Sequence, residues 1–210
     1  MYSYLYAVAA GISLGVGHLV PSLWFCSLLS FAFVAHLVYT TTNWRTLTLQ
    51  LSLIGVLAYG ASYFAVFWHA LPLDWLGVKG LVGIGLIAFV WFITVAIFTI
   101  SFTTLFLCTR RLISCNWLDT LLLPSAFVLA DTVGSLFFSF VHMGETSLLG
   151  PHFTMGSPGY LLAESPLLLQ TATVGGLYAL LFVQAFLGTA LYVSYRQLYS
   201  RYKHLFLLII

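Results

Sequence analysis

Charge is what this chain has least of: seven Lys and Arg and five Asp and Glu in 210 residues, 6% charged in all. A soluble domain carries about 25% charged residues. With 61% hydrophobic residues and a mean hydropathy of +1.05, the chain reads as an integral membrane protein. The scarce basic residues are scattered between apolar runs, so no patch exists for nucleic acid to bind. Cysteine is also rare. Cys26, Cys108 and Cys115 form neither a CxxC pair nor an even set for disulfides, and read as small apolar residues in or near helices. The first twenty residues lack a positive n-region and an A-x-A site, so Met1 to Val20 reads as a retained helix rather than a signal peptide. Neither a GxGxxG after a strand nor a GxSxG at a strand-to-helix turn occurs, and there is no Walker or HExxH pattern. No cofactor is implied.

What is present is long apolar runs. A hydrocarbon core about 30 Å thick takes about 20 residues of helix, and six runs approach or exceed that length: Tyr2 to Val20, Leu23 to Tyr39, Leu47 to Leu71, Leu81 to Leu107, Trp117 to Val141 and Leu167 to Tyr195. The expected fold is therefore all-α, a polytopic bundle of about six transmembrane helices over residues 1–203. Residues 204–210, His-Leu-Phe-Leu-Leu-Ile-Ile, turn apolar again after a basic segment. They read either as the opening of a seventh helix that is cut off, making the chain a fragment, or as a tail at the interface.

Six of the seven basic residues, Arg45, Arg110, Arg111, Arg196, Arg201 and Lys203, fall on one set of connections, and Lys79 alone on the other. The positive-inside rule then puts the amino terminus in the cytoplasm. The opposite face receives Asp74, Glu145, Glu164, His18, His69, His142 and His152. Trp24, Trp68, Trp75 and Trp117 sit where interfacial aromatics belong. Gly11-Ile-Ser-Leu-Gly15 is a GxxxG step that lets helices approach closely, here as internal packing.

Within this apolar background Asp131 stands out, the one charge in the middle of the fifth run. A carboxylate at the centre of a spanning helix costs about 2.5 to 3.5 kcal/mol on insertion scales. It marks either a functional site or a carboxyl that fixes packing through a hydrogen bond. Residues 143–166 follow, rich in Gly, Pro and Ser, an outer connection longer than usual and expected to be mobile or functional. His142, Glu145 and His152 are the only cluster of metal-ligand types there, but a metal site wants three or four ligands at fixed geometry and a loop histidine at a membrane surface needs no ligand to explain it, so no metal site is assigned. Gly175-Gly176 interrupts the sixth run in its outer half, within reach of Asp131 if the fifth and sixth helices are antiparallel neighbours. Leu136 to Phe140 offers apolar side chains for a lateral groove, or ordinary lipid-facing bulk.

The stretch Gly159-Tyr160-Leu-Leu-Ala-Glu-Ser-Pro166-Leu-Leu-Leu-Gln170-Thr-Ala172-Thr-Val-Gly175-Gly176-Leu-Tyr178 resembles the membrane domain of bacterial apolipoprotein N-acyltransferase, which has a Gly-Tyr, a link to Pro, a Gln-x-Ala step and a Gly-Gly/Val-Tyr-Gly turn in this order. Ala130-Asp131 falls where that family has Ala-Glu, Pro21-Ser-Leu-Trp24 where it has Phe-Pro-Pro and Trp, and Gly55, Gly60 and Trp68 fit its Gly-rich third helix. Of its Phe-Pro-Trp segment only Phe153 remains, and the Arg-Gly after Ala-Glu has no basic counterpart. The resemblance implies phospholipid and lipoprotein substrates, with acyl transfer on the outer side of the bacterial cytoplasmic membrane. It also implies a nitrilase-like domain, bearing Glu, Lys and Cys, that these 210 residues do not contain. No catalytic residue is carried over; Asp131, Phe153, Tyr160, Gly175, Gly176 and Tyr178 are the candidate lipid or substrate docking residues. The alternatives are a small permease working through Asp131 and the Gly-Gly break, or a membrane scaffold for a separate nitrilase-like partner.

Overall fold

A computed structural model describes residues 2–113, 118–144 and 154–206. Among them every regular element is helical: α1 (Tyr2–Leu19), α2 (Cys26–Thr40), α3 (Trp44–Trp68), α4 (Gly80–Arg110), α5 (Asp119–Met143), the one-turn α6 (Pro166–Leu169) and α7 (Ala172–Phe206), with short 3₁₀ segments at Pro21–Leu23, Leu73–Leu76 and Pro158–Glu164. Four helices, α3, α4, α5 and α7, are long and apolar enough to cross a membrane. The first two runs form helices of 18 and 15 residues, apolar but shorter. The sixth run does not make one helix from Leu167. Gln170 and Thr171 separate α6 from α7, which then extends through the basic segment; of residues 204–210, where a further helix or an interfacial tail was expected, 204–206 continue α7 and 207–210 lie outside the described residues.

Local chemistry sets the ends. Asn43 starts α3 by accepting a hydrogen bond from the Arg45 amide at 3.0 Å, satisfying a donor that the first turn leaves free. Gly144, at φ 85°, ends α5 while its amide returns to the Phe140 carbonyl, a positive φ that glycine takes at least cost.

The long helices close a ring in which each packs on two others, in the order α1, α3, α4, α5, α7, α2 and back to α1. Small residues set the close approaches. A Cβ on Gly11 would lie 2.6 Å from the Leu57 Cβ, and one on Gly15 2.8 Å from the Ala61 Cβ, so the GxxxG step is the seam between α1 and α3. Across the ring a Cβ on Gly188 would meet the Phe31 Cβ at 2.5 Å, placing α7 equally tight on α2. The ring's interior is aromatic. Phe31, Phe102, Phe106 and Phe127 meet with centroids 4.4 to 5.5 Å apart, and Tyr59, Tyr63 and Phe98 continue the stack at 4.9 to 6.3 Å. The void left among them, bounded by Leu14, Val34, Tyr59, Phe127 and Pro158, is about 10 Å³, no larger than one water needs.

At the end bearing the arginines, the Tyr39 hydroxyl donates to Asp119 Oδ2 at 3.0 Å. The Arg196 guanidinium stands 5.2 Å from the Tyr39 ring, and Tyr192 packs on both His36 and Tyr39. These contacts tie α2, α5 and α7 together.

Candidate functional site

Asp131 lies midway along α5, 2% exposed, one helical turn from Phe127 and so directly over the aromatic seal. Its Oδ2 accepts a hydrogen bond from the Ser157 hydroxyl at 2.7 Å. Oδ1 is buried with no hydrogen-bond partner. A buried carboxyl is tolerated only with partners, so its partner matters, and that partner comes from the connection that follows the same helix.

The far half of that connection is not a solvent loop. From Thr154 it turns back between the helices and is built into them. Gly156, at φ 81°, presents its carbonyl to the Ser62 hydroxyl of α3, and a Cβ there would fall 2.7 Å from the Tyr63 ring; only glycine fits both the backbone angle and the space. Ser157, 1% exposed, caps the 3₁₀ segment and accepts from the Gly159 amide at 3.4 Å while donating to Asp131. Gly159 lies against α7, where a Cβ would be 2.8 Å from the Leu177 carbonyl oxygen. Pro158, Gly159, Leu161 and Leu162 are buried, and Leu161 reaches Gly17 of α1. Irregular backbone can sit at such depth only with its polar groups paired. Here the Ser157, Tyr160 and Ser165 amides return to the Thr154, Ser157 and Leu162 carbonyls. Of the connection expected to be mobile or functional, residues 154–165 are thus packed into the bundle; residues 145–153 lie outside the described residues.

Five of the six docking candidates converge here. Tyr160 is half exposed at the rim, its hydroxyl 3.0 Å from Thr154 Oγ1. Gly175 and Gly176 break α7 with non-helical angles, Gly176 at φ 61° and ψ −147°, a conformation that only glycine adopts readily. Two residues past the break, Tyr178 stands beside Thr132 and Ser135 of α5. Ahead of it the Thr171 and Thr173 hydroxyls donate to the Leu168 and Gln170 carbonyls at 2.7 Å, beside the backbone amides of the same two threonines. The sixth candidate, Phe153, lies outside the described residues.

The other candidates separate. His142 stacks on Phe138 with centroids 4.2 Å apart and its Nδ1 is 3.0 Å from the Phe138 carbonyl, whereas Glu145 and His152 lie outside the described residues. Among the described residues no group of three or more His, Cys, Asp or Glu side chains is placed to hold a metal. The Leu136 to Phe140 segment divides by face: Phe138 and Ser139 point into the bundle, and Phe137 and Phe140 point out. Val133 and Phe137 line two shallow apolar hollows on the outer face, of about 390 and 320 Å³, the second running between α4 and α5 past Ile97 and Ile100.

Two sets of residues escaped the sequence reading. Ser157 carried a visible signal, a capping serine ahead of Pro158-Gly159. Gln184 and Ser27, hydrogen-bonded to each other across α7 and α2, were visible as polar residues inside apolar runs. What Ser157 and Gln184 bond to, 26 and 157 positions away, was not visible. No family model, curated protein or solved structure matches the chain with this arrangement.

Proposed function

We propose that this chain is the membrane domain of an apolipoprotein N-acyltransferase-like protein, supporting transfer of an acyl chain from phospholipid to the amino-terminal cysteine of lipoproteins. In this reading all six long helices cross the bacterial cytoplasmic membrane, with Arg45, Arg110, Arg111 and Arg196 on the cytoplasmic side. The re-entrant segment then opens toward the outer side. One observation carries the reading: the stretch that holds the resemblance, Gly159 to Tyr178, together with Asp131, is assembled into one built feature at a single end of the bundle. A segment that served only to join two helices would need neither a buried carboxyl pinning it nor a helix break beside it.

The chain supplies a platform and not the chemistry. Thioester formation needs an activated thiolate. Among the described residues Cys26 is half-buried in α2 and Cys108 is exposed on the last turns of α4, at the end that bears the arginines; Cys115 lies outside the described residues. A permease reading has less support, because four phenylalanines pack together inside the ring one turn from Asp131 and the void beside them is about 10 Å³.

The test joins the full chain, through Phe206 and beyond, to the nitrilase-like catalytic half of a known apolipoprotein N-acyltransferase. The fusion is produced in a bacterium depleted of its own enzyme, and a reporter lipoprotein is read by mass spectrometry. The expected result is a gain of one acyl chain on the reporter's amino-terminal cysteine. A membrane-inserted fusion that leaves the reporter diacylated contradicts the proposal.

A further inference from the structure

The helices of the ring differ in length. At 1.5 Å per residue, α1 and α2 with 18 and 15 residues span about 27 and 22 Å, below the roughly 30 Å of a typical hydrocarbon core. Their ring neighbours α3 and α7 have 25 and 35 residues. The register along α7 fixes where the shortfall lies. Ser27, at the start of α2, meets Gln184, and Tyr39, at its end, meets Arg196, so α7 rises past the start of α2 from Val183 back to Ala172.

Among the described residues the element packed at this end on α1, on the Pro21–Leu23 link and on α7 is the 3₁₀ segment Pro158–Glu164, with Tyr160, Ala163 and Glu164 exposed. Irregular backbone does not face lipid at hydrocarbon depth, and an exposed carboxylate does not sit there. Hydrocarbon on this flank must therefore end near Trp24 and Phe25. At the other end of α2 the chain turns at Thr41 to Asn43, and Trp44, 66% exposed, takes the place of an interfacial aromatic.

We infer that the α1–α2 edge of the bundle binds a thinned bilayer: a lipid surface with about 22 to 27 Å of hydrocarbon, its headgroups drawn down onto the Pro158–Glu164 segment. The other arc of the ring, through α4, meets a bilayer of ordinary depth. Short spans thin the bilayer beside them at modest cost, and here the thin edge coincides with the re-entrant segment. The inference rests on α1 and α2 crossing the membrane and is independent of acyl transfer.

The test measures depth by spin labels on the full chain in dioleoylphosphatidylcholine vesicles, with the native cysteines replaced by alanine. One pair, Phe25→Cys and Thr40→Cys, brackets α2; a second pair at the same spacing, Phe89→Cys and Thr104→Cys, lies on the exposed face of α4. All four sites are exposed, so the labels leave the core intact, and circular dichroism verifies the helix content of each variant. Both α2 labels are expected at headgroup depth, reached better by a water-soluble nickel chelate than by oxygen, and both α4 labels in hydrocarbon, reached better by oxygen. Labels on α2 as deep as those on α4 overturn the inference. So does access to both α2 labels by chelate added on one side only, which shows that α2 does not cross and leaves the acyl-transfer proposal standing on its own test.

Discussion

Replacing Gly188 with valine is expected to keep α7 from closing the ring on α2. A Cβ at Gly188 would lie 2.5 Å from the Phe31 Cβ and 2.6 Å from the Leu28 carbonyl oxygen. Neither atom can rotate aside, since one is backbone and the other is fixed to it, so the helices themselves must separate. Separation removes the Gln184 to Ser27 hydrogen bond and the packing of Tyr192 on His36 and Tyr39. The expected cost is about 3 kcal/mol or more, at or beyond the upper end for overpacked cores. Thermal unfolding in detergent measures it, with Gly85→Ala as the comparison. Nothing lies within 4 Å of a Cβ on Gly85, and alanine there should be neutral or stabilising by up to about 1 kcal/mol. Equal stability of Gly188→Val and the parent chain would remove the α2–α7 seam from the account.

The second large effect is expected at Asp131. Asp131→Ala leaves the buried Ser157 hydroxyl without its acceptor, at a cost of about 1 to 3 kcal/mol. Much of that loss should appear as local opening of the re-entrant segment rather than of the whole bundle, because the aromatic seal one turn away is untouched. Hydrogen exchange of the Tyr160 and Ser165 amides, which close the 3₁₀ segment, should accelerate about 5- to 100-fold. Asp131→Asn offers an oxygen to Ser157 in the same place and should stay within a few-fold of the parent. A carboxyl that served bundle packing alone would give the opposite pattern, with exchange rising throughout α5 and the segment no faster than the rest.

Much of this architecture was legible in the amino-acid sequence, because apolar runs of membrane length leave the backbone no option but helix. Five of the six runs became single helices and the sixth split into α6 and α7, with four helices long and apolar enough to cross a membrane. Asp131 was legible for the same reason, as a charge with no business in lipid unless something held it. The fate of the connection after α5 was not. Hydropathy scores a polar segment alike whether water or buried side chains satisfy it, and the distinction here rests on Ser62, Asp131 and Gly156 coming together across three distant parts of the chain. The sixth run misled in a related way: Leu167 to Leu169 and Val174 are apolar enough to read as helix interior, yet Gly175 and Gly176 take angles that no helix contains. The ring order was equally hidden. Gly11 and Gly15 announce a close contact without naming Leu57 and Ala61 as its other side, and α7 next to α2 follows from Gly188, a glycine that resembles any other in an apolar run.

The central claim is that the polar segment after α5 returns into the end of the bundle away from the arginines and is pinned there by Asp131; in the proposed orientation that end faces outward. Single cysteines at Leu162, 0% exposed, and at the exposed Glu164, two residues on, test it with a membrane-impermeant maleimide added to intact cells. Glu164→Cys should react quickly from outside, and Leu162→Cys should stay unreacted until Asp131→Ala is added to it. Equal reactivity at the two positions, or reaction at Glu164→Cys only after the cytoplasm is opened, would contradict the account.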